Sequence, residues 1–204
     1  MKSYHDFVIK NGEFLGDFEK MYQIHEDPWG QSSLDYYSSI SRRAVCYFIQ
    51  HYQLRSIVEF GCGLGQTSNF IQKNTGVDIL GVDISSTSIA KAKMTFPDLE
   101  FEIDNISNIV KYINYDCIFM SEITWYLLEN HSIDNLFDAM KKHMHGKYFI
   151  HNLVFYKGEN QKYGKDYFTN LDEFIQFCPF DLLAKTEIDI QSSSTIETSA
   201  IFKI

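Results

Sequence analysis

The stretch Val58-Glu59-Phe60-Gly61-Cys62-Gly63-Leu64-Gly65-Gln66-Thr67 joins an apolar run to three glycines at alternate positions. The apolar run, residues 56–60, is typical of a buried strand, and residues 67–73 continue with a helical spacing. Glycine is needed in such a loop because a side chain would keep a ligand away from the backbone. A G-x-G-x-G pattern is common in tight turns, but between a strand and a helix it predicts a site for a nucleotide-like cofactor.

The residues that flank these glycines distinguish between two kinds of cofactor. In the dinucleotide fingerprint G-x-G-x-x-G the third glycine would stand at position 66, where this chain has Gln66. Glu59 precedes the first glycine by two positions, and a carboxylate there would repel a pyrophosphate but attract an ammonium group. S-adenosylmethionine carries an ammonium and a sulfonium and no phosphate. The acidic loop therefore favours S-adenosylmethionine over NAD.

Two further acidic residues follow later strands. Asp83 ends the second apolar run, where a carboxylate can accept both ribose hydroxyls of either cofactor. Asp104-Asn105-Ile106 follows the third run. We expect the Asp104 side chain to meet the adenine amino group and a backbone N–H to meet a ring nitrogen. Capping of the following helix is the alternative interpretation for both acids.

The alternation of strand and helix patterns predicts an α/β fold with a mostly parallel sheet. Strands are expected at residues 56–60, 78–83, 99–103, 115–120, 147–151, 182–190 and 196–204. Helices are expected at residues 12–27, 33–52, 67–73, 86–94 and 133–143, the fourth of them capped by Ser85 or Ser86. Only a short polar turn separates the last two strands, so these two must be antiparallel.

Length and composition favour a single domain of 204 residues, with 1–53 as an N-terminal helical lid and 54–204 as a Rossmann-like core. The net charge of -9 and the lack of a Lys/Arg cluster argue against a nucleic-acid partner. No run approaches the roughly 18 apolar residues of a membrane span. Four cysteines without a CxxC spacing predict free thiols in a cytoplasmic protein. We expect a small-molecule acceptor as partner, and a monomer or homodimer.

Four segments resemble the successive motifs of class I S-adenosylmethionine-dependent methyltransferases. They are residues 59–65, Val82-Asp83-Ile84-Ser85, Asp104-Asn105, and residues 115–122. The resemblance covers about residues 30–204. It implies a Rossmann-like seven-stranded mixed sheet of order 3-2-1-4-5-7-6, with strand seven antiparallel and helices on both faces. It also implies S-adenosylmethionine as cofactor and S-adenosylhomocysteine as product.

The same resemblance assigns roles to individual residues. Gly61 and Gly63 are expected to pass under the methionine moiety, while Asp83 takes the ribose and Asp104 the adenine. Ser121 and Glu122 are expected on the far wall, near the transferred methyl group. The complete expected donor site is Trp29, Glu59, Phe60, Gly61, Cys62, Gly63, Gly65, Asp83, Ile84, Asp104, Asn105, Ile106 and Ser121.

A shorter segment ahead of the core, Glu26-Asp27-Pro28-Trp29-Gly30, resembles the "DPW" segment of the nodulation-factor methyltransferase and of small methyltransferases from sugar and surface-polysaccharide pathways. This resemblance implies O-methylation of a sugar or a phosphorylated precursor of a capsule polysaccharide, including a phosphoramidate group. Those relatives often have an acid in the next helix, where this chain has Ser41-Arg42-Arg43. The departure leaves the substrate class open.

Methyl transfer is an in-line displacement that requires an acceptor atom roughly 3 Å from the methyl group. A general base is needed when the acceptor is a hydroxyl. The expected catalytic residues are His151, Tyr126 and Glu122, with His151 as the base because it follows an apolar strand and titrates near neutral pH. Residues 156–165 form either a substrate lid, whose lysines meet a phosphorylated acceptor, or an ordinary exposed loop. His143 and His145 lack a third ligand, so we predict no metal.

The sequence leaves three alternatives to O-methylation open. The same site could methylate the amine of an amino sugar or another small amine. An NAD-dependent oxidoreductase would use a similar cleft, although Glu59 and the antiparallel tail argue against it. A non-catalytic partner subunit with the same fold is the third, and the intact glycine and acid motifs argue against that.

Overall fold

The computed structural model describes residues 5–10, 13–33, 39–128, 132–161 and 163–204, and it has a seven-stranded sheet at its centre. The strands of this sheet are β3 (Ser56–Phe60), β4 (Asp78–Asp83), β5 (Glu100–Ile103), β6 (Cys117–Ser121), β7 (Tyr148–Tyr156), β8 (Asp181–Asp189) and β9 (Thr195–Lys203). Two short strands, β1 (Ile9–Lys10) and β2 (Glu13–Phe14), pair with each other near the N-terminus.

The helices lie in the lid segment, between the strands, and before the final hairpin. They are α1 (His5–Val8), α2 (Phe18–Ile24), α3 (Ile40–His51), α4 (Gln66–Thr75), α5 (Ser86–Thr95), α6 (Ser132–His143) and α7 (Leu171–Phe177). Short 3-10 helices cover Ile106–Tyr112, Thr124–Leu127 and Gly158–Asn160. Ser85 caps α5, since its hydroxyl accepts the backbone N–H of Ser88 at 3.1 Å, as the sequence predicted.

The strand order is β5-β4-β3-β6-β7-β9-β8. Strands β3 to β7 are parallel because a helix or a long crossover returns the chain to the same edge each time. Strand β9 runs antiparallel to both β7 and β8. Counted from β3, this is the order 3-2-1-4-5-7-6 with the seventh strand antiparallel, so the predicted fold is confirmed.

Helices cover both faces of the sheet, and successive residues of a strand contact different helices. On one face, Ile57 of β3 packs in a cluster with Phe48 of α3 and Ile71 of α4. On the other, Val58 packs in a cluster that includes Phe137 of α6 and Phe174 of α7. Full burial of such side chains stabilises the fold by roughly 1.5–3 kcal/mol each. Because both faces are apolar, the strands read as continuous hydrophobic runs.

The N-terminal segment differs most from its prediction. A helix over residues 12–27 is wrong in its first half, because Glu13 and Phe14 form β2 and the helix begins only at Phe18. Gly16, with a φ of 66°, interrupts the chain before Asp17, whose side chain accepts the N–H of Lys20 and starts α2. The second predicted helix, 33–52, is observed from Ile40, and residues 34–38 lie outside the described residues.

Two further properties concern the described residues as a whole. No helix in the described ranges combines the length and the apolar character that crossing a bilayer requires. All four cysteines are buried free thiols.

Candidate active site

A cavity of about 910 Å³ lies at the carboxyl ends of the parallel strands, between the sheet and the N-terminal lid. Parallel α/β sheets bind ligands at this edge, where neighbouring strands lead to opposite faces. Pockets for small ligands span roughly 300–1,000 Å³, so this cavity lies near the upper end of that range.

Most of the residues predicted for the donor site line this cavity. They are Trp29, Glu59, Phe60, Gly61, Asp83, Ile84, Asp104, Asn105, Ile106 and Ser121. Three of the predicted residues do not line it: Cys62, Gly63 and Gly65. The Cys62 side chain instead packs beneath the loop with Ile89 and Phe101, and Gly65 lies beside the Phe101 ring. Gly63 faces the lid, where a Cβ atom would come 2.6 Å from the Tyr22 hydroxyl. The expected contact of these three residues with the donor stays a prediction.

Gly61 is the glycine at which the backbone reaches the cavity. Its φ of 73° lies in the left-handed region, and a Cβ atom there would come 2.3 Å from Cγ2 of Ile123. Only glycine therefore fits between the strand end and the 124–127 turn. Packing of Ile123 therefore requires the glycine, and the residue also lines the cavity.

Asp83 connects the second strand to the glycine loop. Its Oδ2 accepts the Gly63 N–H at 2.9 Å and its Oδ1 accepts the Ser85 N–H at 2.9 Å. Burial raises the pKa of Asp83, and these backbone hydrogen bonds oppose that rise. Asp83 also lines the cavity, at the position expected for the ribose of the donor.

The Asp104 carboxylate accepts four hydrogen bonds from neighbouring residues. Its Oδ1 accepts Asn105 N at 2.7 Å and Asn108 Nδ2 at 2.6 Å, while its Oδ2 accepts Lys111 Nζ at 3.1 Å and Tyr112 OH at 2.7 Å. These donors, with that of Asn108 the largest contributor, hold the pKa of Asp104 well below its usual range. An adenine amino group would have to displace one of them, since a carboxylate accepts only about four hydrogen bonds.

The neighbouring backbone offers another way to hold an adenine ring. Asn105, not Asp104, caps the 3-10 helix, because its Oδ1 accepts the Ser107 N–H at 2.9 Å. Ile106 opens that helix, and the first N–H groups of a helix have no partner within it. Ile84 is 49% exposed and also lines the cavity, so it offers an apolar surface to a flat ring.

Glu59 and Glu122 are carboxyl groups with similarly perturbed acidity. Glu59 is buried and accepts a short hydrogen bond from the Ser68 hydroxyl. Burial raises the pKa of Glu59 to about 7, although Ser68 and the nearby charge of Arg42 oppose the rise. Glu122 accepts the Val154 N–H at 3.1 Å, and burial raises its pKa to about 7 as well. Such a group can take up or release a proton at neutral pH.

The backbone at Glu122 is unusual for a residue with a side chain. Its φ is 61°, in the left-handed region, and its N–H donates to the Asn152 carbonyl oxygen at 3.0 Å. Non-glycine residues held in this conformation cost roughly 1–3 kcal/mol and are concentrated at functional sites. This backbone conformation places the Glu122 carboxyl group at the end of β6, on the cavity wall.

Sequence reasoning missed a third carboxylate, Glu197 of β9, with its partners. Its Oε2 accepts the hydroxyls of Ser39 at 2.7 Å and Ser41 at 2.8 Å. All three residues line the cavity with Arg42. The charge of Arg42 acts on Glu59, Glu122 and Glu197 alike. The available signal was a Glu in the middle of an otherwise uncharged strand, Ile196–Ile201.

Aromatic side chains from the lid close the cavity on the opposite side. Tyr126 stacks on Phe14 with ring centres 5.8 Å apart, and it meets the Phe18 ring edge-on at 5.1 Å. Trp29 lies 6.3 Å from Tyr126, and its Nε1 donates to the Tyr22 hydroxyl at 3.1 Å. Tyr126 therefore lines the cavity as predicted, but it packs against the lid as well.

The "DPW" segment forms a tight turn that presents Trp29. The Asp27 carboxylate accepts the N–H groups of Gln31 and Ser32, both at 2.8 Å, and the Ser32 hydroxyl at 2.6 Å. Pro28 is buried. An aspartate that accepts hydrogen bonds from the residues after it is a common way to stabilise a turn. The turn directs the Trp29 ring into the cavity.

His151 does not face the cavity, so the prediction that it faces the cleft is wrong. It is fully buried on the other face of β7, where its ring stacks on Phe174 at 3.8 Å. Its Nε2 shares a 2.6 Å hydrogen bond with the Thr124 hydroxyl, and its Nδ1 has no partner among the described residues. Burial lowers the pKa of His151 to about 3. The imidazole is therefore uncharged at neutral pH and cannot reach an acceptor.

We expect His151→Ala to reduce stability without changing the acid–base chemistry of the site. Loss of the stacking and of the Thr124 hydrogen bond should lower the free energy of unfolding by roughly 2–4 kcal/mol, measured by urea denaturation. The affinity for S-adenosylhomocysteine should stay within about threefold of wild type. A hundredfold loss of turnover in a fully folded variant would contradict this assignment and restore His151 as a base.

Comparison with known proteins agrees with this site. Residues 57–146 match a protein family described as "methyltransferase domain". No curated protein matches the sequence.

Several solved structures share the fold at low sequence identity. The N-methyltransferase NodS from Bradyrhizobium japonicum, in complex with S-adenosylhomocysteine, is 13% identical with a TM-score of 0.66, covering 91% of this chain and 97% of that one. The PH0226 protein from Pyrococcus horikoshii is 14% identical with a TM-score of 0.67, covering 91% and 99%. A TehB-like S-adenosylmethionine-dependent methyltransferase from Corynebacterium glutamicum is 20% identical with a TM-score of 0.55, covering 81% and 88%.

The domain match and the strand order are those expected of a class I S-adenosylmethionine-dependent methyltransferase, and they support S-adenosylmethionine as the cofactor. The residues present fit that cofactor. Gly61, Asp83 and Glu59 line one cavity, so a glycine backbone and two carboxyl groups are available to a ligand that carries an ammonium group and ribose hydroxyls. Within the described residues, no group of three or more His, Cys, Asp or Glu side chains could hold a metal ion.

Proposed function

We propose that the enzyme methylates a small molecule held between the ends of β6, β7 and β9 and the N-terminal lid. Cavity volume supports the proposal, because about 910 Å³ lies near the upper end of the roughly 300–1,000 Å³ found for small-molecule sites. The donor would lie along the ends of β3 and β4, with Asp83 on its ribose, Gly61 under its methionine part and Ile106 at its adenine. Ser121, Glu122 and Tyr126 would then surround the methyl group.

The charges on the cavity wall formed by β6, β7 and β9 limit which methyl acceptors can bind there. Two carboxyl groups, Glu122 and Glu197, line it with one guanidinium, Arg42. No lysine of the described part of the 156–165 loop lines the cavity. Lys157 pairs with Asp189 and donates to the Ile190 carbonyl oxygen at 2.8 Å, and Lys162 lies outside the described residues. Above pH 7, where Glu122 is ionised together with Glu197, this wall is net acidic and repels a phosphate or phosphoramidate anion. The wall supports a neutral or cationic acceptor over a phosphorylated one.

For a hydroxyl acceptor, such as that of a sugar in a surface-polysaccharide precursor, the proton balance is simple. The Glu122 carboxylate takes the hydroxyl proton as the acceptor oxygen forms its bond to the methyl carbon. The bond between that carbon and the donor sulfur breaks, and its electron pair stays on sulfur, which leaves as neutral S-adenosylhomocysteine. The role of the chain is to hold oxygen, carbon and sulfur in line and to exclude water.

N-methylation of an amino sugar or another small amine is the second candidate, and the acidic wall favours it. An alkylammonium would pair with Glu197, whose pKa is lowered by the hydroxyls of Ser39 and Ser41 against the effect of burial. Glu122 would accept the proton that the ammonium loses before it attacks the methyl group. NodS, which is described as an N-methyltransferase, shares the fold at an identity too low to decide between the two acceptors.

Two measurements test the proposal in sequence. Isothermal titration should show binding of S-adenosylhomocysteine and no binding of NADH; failure to bind S-adenosylhomocysteine would contradict the donor site. Transfer of a labelled methyl group should then be measured for glucose, glucosamine and glucose 6-phosphate as matched probes. We expect transfer to glucosamine or glucose in preference to the phosphate. A preference for the phosphorylated sugar would contradict the argument from charge.

A further inference from the structure

The Glu19 carboxylate of α2 joins the lid to the start of α5 in the core. Its Oε2 accepts the Ser85 hydroxyl at 2.7 Å and the Thr87 N–H at 3.2 Å, while its Oε1 accepts the hydroxyls of Ser86 at 3.1 Å and Thr87 at 2.7 Å. These donors, the Thr87 hydroxyl first, lower the pKa of Glu19 to about 2, so the group is ionised at neutral pH. The carboxylate also lies at the N-terminus of α5, where the helix dipole favours a negative charge.

A second attachment holds the other end of the lid helix. Lys91 of α5 donates from Nζ to the carbonyl oxygens of Tyr22 at 2.8 Å and His25 at 3.1 Å. These oxygens lie at the end of α2, where carbonyl groups lack partners within the helix. Glu19 and Lys91 thus fix α2 on α5 at both ends. We call this pair of attachments the lid clamp.

The lid clamp continues directly into the donor site. The same Ser85 that donates its hydroxyl to Glu19 donates its backbone N–H to Asp83 at 2.9 Å, and Asp83 accepts the Gly63 N–H at 2.9 Å. From above, the Tyr22 hydroxyl covers Gly63 so closely that a Cβ there would come 2.6 Å from it. A displacement of α2 would therefore disturb the glycine loop from both sides.

From these contacts we propose that Glu19 is a positioning residue for the methyl donor, which acts through Ser85 on Asp83 and which keeps the lid closed over bound donor and product. The inference rests on the proposed donor role of Asp83. Glu19, which lies outside the cavity, would then contribute to the affinity for the donor and to the rate of product release. Lys91 supports the same function from the other end of α2.

The test compares Glu19→Gln with Glu26→Gln by stopped-flow and calorimetric measurement of S-adenosylhomocysteine binding. Glu26 is a suitable control because it is also an acid of the lid segment and its side chain is 96% exposed, so solvent screens its 3.4 Å ion pair with Lys91. We expect Glu19→Gln to weaken binding by about tenfold or more, mainly through faster dissociation, because hydrogen bonds to a charged acceptor are lost. Glu26→Gln should bind as wild type does.

A second variant keeps the test independent of whether Glu19→Gln folds. Lys91→Met releases the other end of α2 and should raise the dissociation rate in the same direction, with a smaller effect on association. Wild-type dissociation rates in either variant, once folded, would overturn the proposal. If wild-type protein itself does not bind S-adenosylhomocysteine, the donor site fails instead. The two failures are therefore distinguishable.

Discussion

Gly61→Arg is expected to abolish binding of S-adenosylhomocysteine. The left-handed backbone at φ 73° costs a residue with a side chain roughly 1–2 kcal/mol, and the first side-chain atom would come 2.3 Å from Ile123. The remainder of the arginine would project from the cavity floor where the donor approaches the backbone. We expect a loss of more than about 4 kcal/mol in binding free energy, or about a thousandfold in Kd, measured by isothermal titration.

Gly76→Arg is the matched control for this substitution. Gly76 has nearly the same backbone conformation, with a φ of 72°, but no atom lies within 4 Å of an added Cβ. It ends α4, far from the cavity-lining residues. Both variants carry the same backbone strain and the same added charge, but only Gly61→Arg should lose the ligand. Equal binding by the two variants would contradict a donor contact at Gly61.

Features that are local in sequence were predictable. Glu59, Gly61 and Asp83 each end a strand, and parallel strands bring such ends to one edge whatever the details of packing. The strand order followed from the resemblance of these motifs. The antiparallel hairpin followed from the short turn before Thr195.

The orientation of His151 could not be predicted, because β7 is apolar on both faces. Alternation of apolar and polar residues normally indicates which residues of a strand share a face. A strand covered by helices on both sides is apolar on both faces, so its sequence lacks this alternation. His151 shares its side of β7 with Phe149 and Phe155, whereas Val154 and Tyr156 line the cavity. A shift of one position along β7 would move the His151 ring from the buried face of the strand to the face that lines the cavity.

Contacts between segments that are far apart in the chain could not be predicted from the sequence either. Glu197 meets Ser39 and Ser41 only because β9 lies beside β7, next to the start of α3. Glu19 reaches the start of α5 only once α2 is packed on it. Neither contact has a local pattern, since the partners are far apart in the chain.

Glu122→Gln is expected to lower turnover by about 10²- to 10⁴-fold, the contribution typical of a general base. The variant keeps the shape of the side chain, and its affinity for S-adenosylhomocysteine should change little. Turnover is measured with the acceptor identified among the sugar probes. A variant that keeps more than a third of wild-type turnover would contradict the role of Glu122 as base.

The pH dependence gives an independent test of the same assignment. Burial raises the pKa of Glu122 to about 7, so the carboxyl is protonated below that pH and cannot accept a proton. Wild-type turnover should therefore fall by about tenfold per pH unit as the pH decreases below 7, and should level off above it. The residual turnover of Glu122→Gln should lack this dependence.

Glu59 must be separated from Glu122, because burial raises its pKa to about 7 as well. The two groups lie at the ends of adjacent strands, so a titration near pH 7 does not by itself say which one is the base. Their positions predict different kinetic effects. Glu59 lies beside the glycine loop, so Glu59→Gln should raise the KM for S-adenosylmethionine, whereas Glu122→Gln should lower kcat and remove the pH dependence. If Glu59→Gln instead removed the pH dependence with an unchanged KM, the base would be Glu59, and the acceptor would have to lie on the β3 side of the cavity.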